Sequence, residues 1–127
     1  MTATRLYIRL PVLALAAASS CLAIGASASA EPTHAAGSCS APKYPGNGYF
    51  ASLHVSHTSC GTGRKVARAH YKCRRAHGIR GRCHHAVLRF HCKESRPASA
   101  RIPTQYSARV TCTRGSRRVV FVYQQNT

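Results

Sequence analysis

The rhythm of apolar and polar positions changes several times along this chain. Residues 12–24 form an apolar run rich in Leu and Ala. Arg5 and Arg9 precede it, and the small-x-small triplet Ala28-Ser29-Ala30 follows. That order is the mark of a signal segment, 1–30, cleaved after Ala30. An uncleaved anchor is the weaker reading, because no basic stop-transfer cluster follows. Lipidation at Cys21 is weaker too, because Ala18-Ser19-Ser20 lacks the usual Leu. Residues 31–48 carry Pro, Gly, Ser, Ala and Asn without periodicity. They read as a flexible arm ending in the turn Pro45-Gly46-Asn47-Gly48.

A single domain is expected over 49–127. Ala51, Leu53 and Val55 alternate with Ser52, His54 and Ser56, which predicts a half-buried strand over 49–56. Ser59 is a good N-cap for a helix over 60–77, with Gly78 as its stop. At 100° per residue, Gly63, Val66, Ala67, His70, Cys73 and His77 share the inward face. Arg64, Arg68, Lys72 and Arg75 form a cationic stripe on the outer face. After a Gly- and Arg-rich loop over 79–85, residues 87–92 predict a second strand, with Leu88, Phe90 and Cys92 on one side. Residues 94–104 read as a loop with Pro97 and Pro103. The clearest hairpin joins 108–113 to 117–124 through Arg114-Gly115-Ser116. The order β-α-β-β-β predicts an α+β domain, one helix packed on a small, mainly antiparallel sheet.

The cysteines change what holds this domain together. Without Cys21, six remain: Cys39, Cys60, Cys73, Cys83, Cys92 and Cys112. An even number in a small exported chain argues for a disulfide framework. The preferred pairing of the 15 possible is Cys73–Cys83 closing the helix end, Cys92–Cys112 joining two strands, and Cys39–Cys60 from what remains. Each bridge contributes about 2–4 kcal/mol, which offsets self-repulsion in a highly charged chain.

Two stretches carry a resemblance. Ser59-Cys60-Gly61-Thr62-Gly63-Arg64-Lys65-Val66 and 108–120, from Ala108-Arg109-Val110 to Val119-Val120, resemble small exported domains of high-GC Gram-positive bacteria (actinobacteria) with no assigned function. The resemblance covers residues 44–127. It implies a secreted single domain and supplies no catalytic residues, and the many histidines here depart from that group.

Charge narrows the chemistry. The 127 residues hold 19 Lys and Arg against two Glu and no Asp, a formal net charge of +17. A carboxylate pair, a Ser-His-Asp triad or an all-oxygen Ca²⁺ or Mg²⁺ cage therefore lacks its ligands. The cationic surface points to polyanions bound without sequence specificity: cell-wall polymer, anionic lipid headgroups or nucleic acid. The candidate anion-binding residues are Arg64, Arg68, Lys72, Arg75, Arg117 and Arg118. A solvated surface reflecting GC-rich codon usage is the alternative.

The histidines offer weaker chemistry. His70, Cys73 and His77 at i, i+3 and i+7, with Cys83-His84-His85 and His91-Cys92, have metal-ligand character. There is no C-x-x-C pair, and disulfides use the sulfurs better, so no metal and no cofactor are expected. His54, His84, His85 and His91, with Lys93 or Arg89, are the residues a ribonuclease-like hydrolase would need. Nothing in the sequence fixes two imidazoles around one phosphate. A third alternative is an inhibitor presenting a stapled loop, 79–85 or 94–105. The leading expectation is a secreted, monomeric, non-enzymatic basic domain of the cell envelope.

Overall fold

The computed structural model describes residues 36–127, so the expected signal segment lies outside the described residues. Ser59 fixes where the helix begins. Its backbone is extended (φ −85°, ψ 155°), and its hydroxyl accepts from the Thr62 N–H at 3.1 Å. One amide that a helix N-terminus leaves without a partner is thereby satisfied. Helix α1 runs Cys60–Arg75, two residues shorter than expected. Ala76 caps it, and Gly78 turns the chain away at φ +92°.

Five of the six expected inward positions, Gly63, Val66, Ala67, His70 and Cys73, are buried. The sixth is Arg74, not His77, which is exposed beyond the helix end. Gly63 lets α1 approach β2 closely. A Cβ there would sit 2.7 Å from Val55 Cγ1.

Among the described residues six strands form one antiparallel sheet: β1 (Gly37–Ser38), β2 (Gly48–Ser56), β3 (His91–Ser95), β4 (Arg101–Ile102), β5 (Gln105–Arg114) and β6 (Arg117–Asn126). The order is β1-β2-β6-β5-β3, and β4 also pairs with β5. The fold is α+β, with α1 packed on the face of β2 and β6. Alternation sets the core: Tyr106, Ala108, Val110 and Cys112 of β5 lie beside Val119, Phe121 and Tyr123 of β6. The hairpin turn is Gly115-Ser116, between the paired Arg114 and Arg117.

Three local expectations need correction. Ala51 is exposed, because Phe50 pairs with Tyr123 and Ser52 with Val122, leaving Ala51 as the extra residue of a bulge. The bulge turns Phe50 toward the core instead. The strand expected over 87–92 begins only at His91. Before it, Val87 and Phe90 exchange both backbone hydrogen bonds (2.9 and 2.8 Å) in a tight turn, which leaves Leu88 outside. The 94–104 loop is likewise shorter, because β3 runs to Ser95 and β4 occupies Arg101–Ile102.

Residues 36–48, read from sequence as an arm, contribute β1 and place Tyr44 in the core. Cys39–Cys60, Cys73–Cys83 and Cys92–Cys112 are disulfides. Cys92 and Cys112 face each other across β3 and β5, with Cα atoms 4.0 Å apart. No described helix is long and apolar enough to cross a membrane.

Candidate anion-binding groove and a buried arginine network

The stripe expected on α1 is present on its outer side. Arg68, Lys72 and Arg75 are exposed and Arg64 half-buried. The Cys39–Cys60 bridge ties the segment after Cys39 to the start of α1. Tyr44 then packs edge-on against Tyr71 of α1 (ring centroids 5.0 Å apart). Pro45-Gly46-Asn47 is held over the helix so closely that a Cβ on Gly46 would meet the Tyr71 hydroxyl. Between this turn and the helix lies an open groove of about 690 Å³. Lys43, Arg68 and Lys72 line it together with Tyr44 and Asn47. Three cations from two elements thus converge on one concavity, a geometry suited to an anion.

Arg117 and Arg118 do not join that groove. Arg118 pairs with Ser56 and Thr113, on the sheet face opposite α1. With His54, Ser38 and Val120 it lines a second hollow of about 350 Å³. Arg117 stands beside the hairpin turn. The candidate cations therefore form two sites, a helix groove and an end of the sheet.

Beneath the groove lies a network that the sequence reading missed. Arg74 is 1 % exposed, yet no carboxylate among the described residues touches it. Its guanidinium donates to the Tyr106 hydroxyl at 2.8 Å, to the Ile79 carbonyl at 3.2 Å, to Gln125 Oε1 at 2.5 Å, and to the Tyr44 hydroxyl. It also stands 4.5 Å over the ring of Tyr123. Burial pushes the Tyr44 hydroxyl up to about 12, and Tyr123 is raised as well. Both tyrosines thus stay neutral partners of a buried cation.

Glu94, read as a loop residue, is a strand residue whose side chain is 5 % exposed. Arg96 donates to its Oε1, and His70 Nε2 lies 3.5 Å from Oε2 without making a hydrogen bond. Burial lowers His70 to about 4, outweighing the opposing pull of Glu94. His70 is neutral near pH 7, so this contact is not an ion pair. Arg96 also donates to the carbonyls of Arg80 and Gly81, both at 2.6 Å, and Arg80 to Pro103 O at 2.8 Å. The two loops weighed as inhibitor loops are thus clamped to each other.

The expected histidine sets do not converge. His70 is in the core, Cys73 is in its bridge and His77 is exposed. The sulfurs of Cys73 and Cys83 are bonded to each other, with His85 Nε2 3.4 Å from Cys73 Sγ. Lys93, Thr111, Val120 and His54 lie in one row across four strands. Lys93 and His54 are therefore roughly 14 Å apart, too far to share a phosphate. The close exposed pair is His77 and His84, with ring centroids 5.7 Å apart. No protein family, curated protein or solved structure matches this chain.

Proposed function

We propose that the chain is a secreted, strongly basic, non-enzymatic domain that associates with anionic polymers or surfaces of the cell envelope. The groove of Lys43, Arg68 and Lys72, extended by Arg64 and Arg75, provides the grip. One observation carries this reading: Glu94, the single acidic side chain in residues 36–127, is withdrawn from the surface, while the cations of the helix and groove stay exposed. A polyanion approaching this face meets no repelling carboxylate, and its arrival is steered by charge at a rate that salt suppresses. Three disulfides suit an oxidising, extracellular setting. The wide separation of Lys93 from His54 argues against that one pairing as the centre of the hydrolase alternative.

The test is retention of the oxidised protein on heparin or teichoic-acid resin, eluted by a salt gradient. Arg68→Glu with Lys72→Glu reverses two groove charges and elutes at clearly lower salt, while the matched pair Arg109→Glu with Lys93→Glu on the open sheet face shifts elution less. Equal shifts from both pairs overturn the groove as a site, and no retention of the parent overturns the reading.

A further inference from the structure

The turn between Val87 and Phe90 departs from what its sequence favours. Leu88 and Arg89 both lie in the left-handed region, at φ 50° and 65°. Two adjacent residues with positive φ make the tight hairpin turn that Asn-Gly fills at least cost. Leu and Arg there are strained, because the Cβ crowds the following carbonyl oxygen. Among the described non-glycine residues only His57 shares this region. Such strain persists only where the surroundings enforce it, and here they do. Val87 and Phe90 are 6 % and 1 % exposed, and the bridges of Cys83 and Cys92 flank the turn on either side. The enforced result is a rigid tip with Leu88 left 53 % exposed beside exposed Arg89.

The register shows what surrounds the tip. Phe90 leads into His91, which pairs with Thr113, and the next residues along β5 and β6 are the pair Arg114 and Arg117. Arg118 pairs with Thr113. An apolar tip and four arginines therefore occupy one end of the sheet, and Tyr49 lies at the other end, paired with Gln124.

We propose that this end is a membrane-contact tip: Leu88 enters the headgroup–acyl boundary of an anionic bilayer while Arg89, Arg114, Arg117 and Arg118 engage lipid phosphates. This rests on the polyanion reading and commits it to a lipid surface at a second site. Each cation near such a surface adds attraction, and one inserted Leu adds an apolar anchor on a backbone already ordered.

The chain contains no Trp, so Leu88→Trp and Tyr49→Trp each install a single indole reporter. The probe is vesicles of phosphatidylcholine with about one-third phosphatidylglycerol. Emission of the Leu88→Trp variant shifts to the blue and is quenched by brominated acyl chains, while emission of the Tyr49→Trp variant stays unchanged. Leu88→Ser weakens vesicle binding about tenfold at fixed salt. The pair Leu88→Asn with Arg89→Gly relieves the strain, so it melts about 5 °C or more above the parent yet loses insertion. Vesicle binding by the Leu88→Trp variant with its indole still in water overturns the tip and leaves the polyanion reading standing. So does retention on heparin without vesicle binding, whereas failure on both sinks the two together.

Discussion

Arg74 and His70 are one turn apart on α1 and solve burial differently. His70 stays neutral. Its folded pKa of about 4 lies below the ordinary 6.5, so the unfolded chain binds the extra proton between those values. His70 therefore favours the fold fully above pH 6.5, and that contribution is lost as pH falls toward 4, by up to about 3 kcal/mol. Melts from pH 8 to 4 are expected to show this loss, and His70→Gln to flatten that part of the profile. Arg74 keeps its charge and spreads it over neutral oxygens. Two of its partners hold a second bond, from the Tyr106 hydroxyl to Ile79 O and from the Tyr44 hydroxyl to Gln125 Oε1, both 2.8 Å. Arg74→Met is therefore expected to cost about 1 kcal/mol, and Arg74→Lys more. A compact ammonium in that space cannot reach three separated acceptors. Denaturant unfolding of the two variants gives the order. The burial of His70 was legible from helical periodicity, whereas the role of Arg74 was not. Between Lys72 and Arg75, Arg74 reads as one more surface cation, and three of its four acceptors lie 30, 32 and 51 residues away in sequence.

At the level of elements, local chemistry carried further. Ser59 and the alternation of β5 and β6 each act over a few residues, so helix and hairpin could be read directly, whereas the even cysteine count gave a disulfide framework and left its pairing a preference among 15. What failed depended on backbone hydrogen bonding that alternation does not reveal. The bulge at Ala51 follows from the register of β2 on β6, and 87–90 alternate like a strand until their own hydrogen bonds close the turn. The groove was half legible, because α1 displays Arg68 and Lys72 by periodicity alone. Lys43 was missed because contacts distant in sequence, among them the Cys39–Cys60 bridge and the Tyr44–Tyr71 packing, bring its segment to the helix. The helix–sheet contact itself is sharply testable. Gly63→Ala forces a methyl against Val55 and is expected to cost about 1–3 kcal/mol, although Ala is the better helix former. A rise in Tm for Gly63→Ala contradicts the close approach.

The molecule as a whole balances three covalent links and a modest core against its own charge. Screening that repulsion is expected to raise Tm as ionic strength goes from low to physiological, where charges beyond about 8 Å cease to interact. A short polyphosphate at constant ionic strength is expected to raise Tm further, by binding the folded form. Scanning calorimetry separates the two, since a purely ionic effect vanishes once salt is matched.

The seclusion of Glu94 also bears on how copies of this protein meet. Over residues 36–127 the surface offers lysine and arginine but no acidic side chain to receive them. The side chains of the described residues offer no exposed carboxylate for a reciprocal salt bridge between two copies, so close approach of these surfaces needs anionic mortar between them. Assembly should then follow the supply of ligand: dispersed particles in plain buffer, clusters near charge equivalence, and dispersal again when the polyanion is in excess.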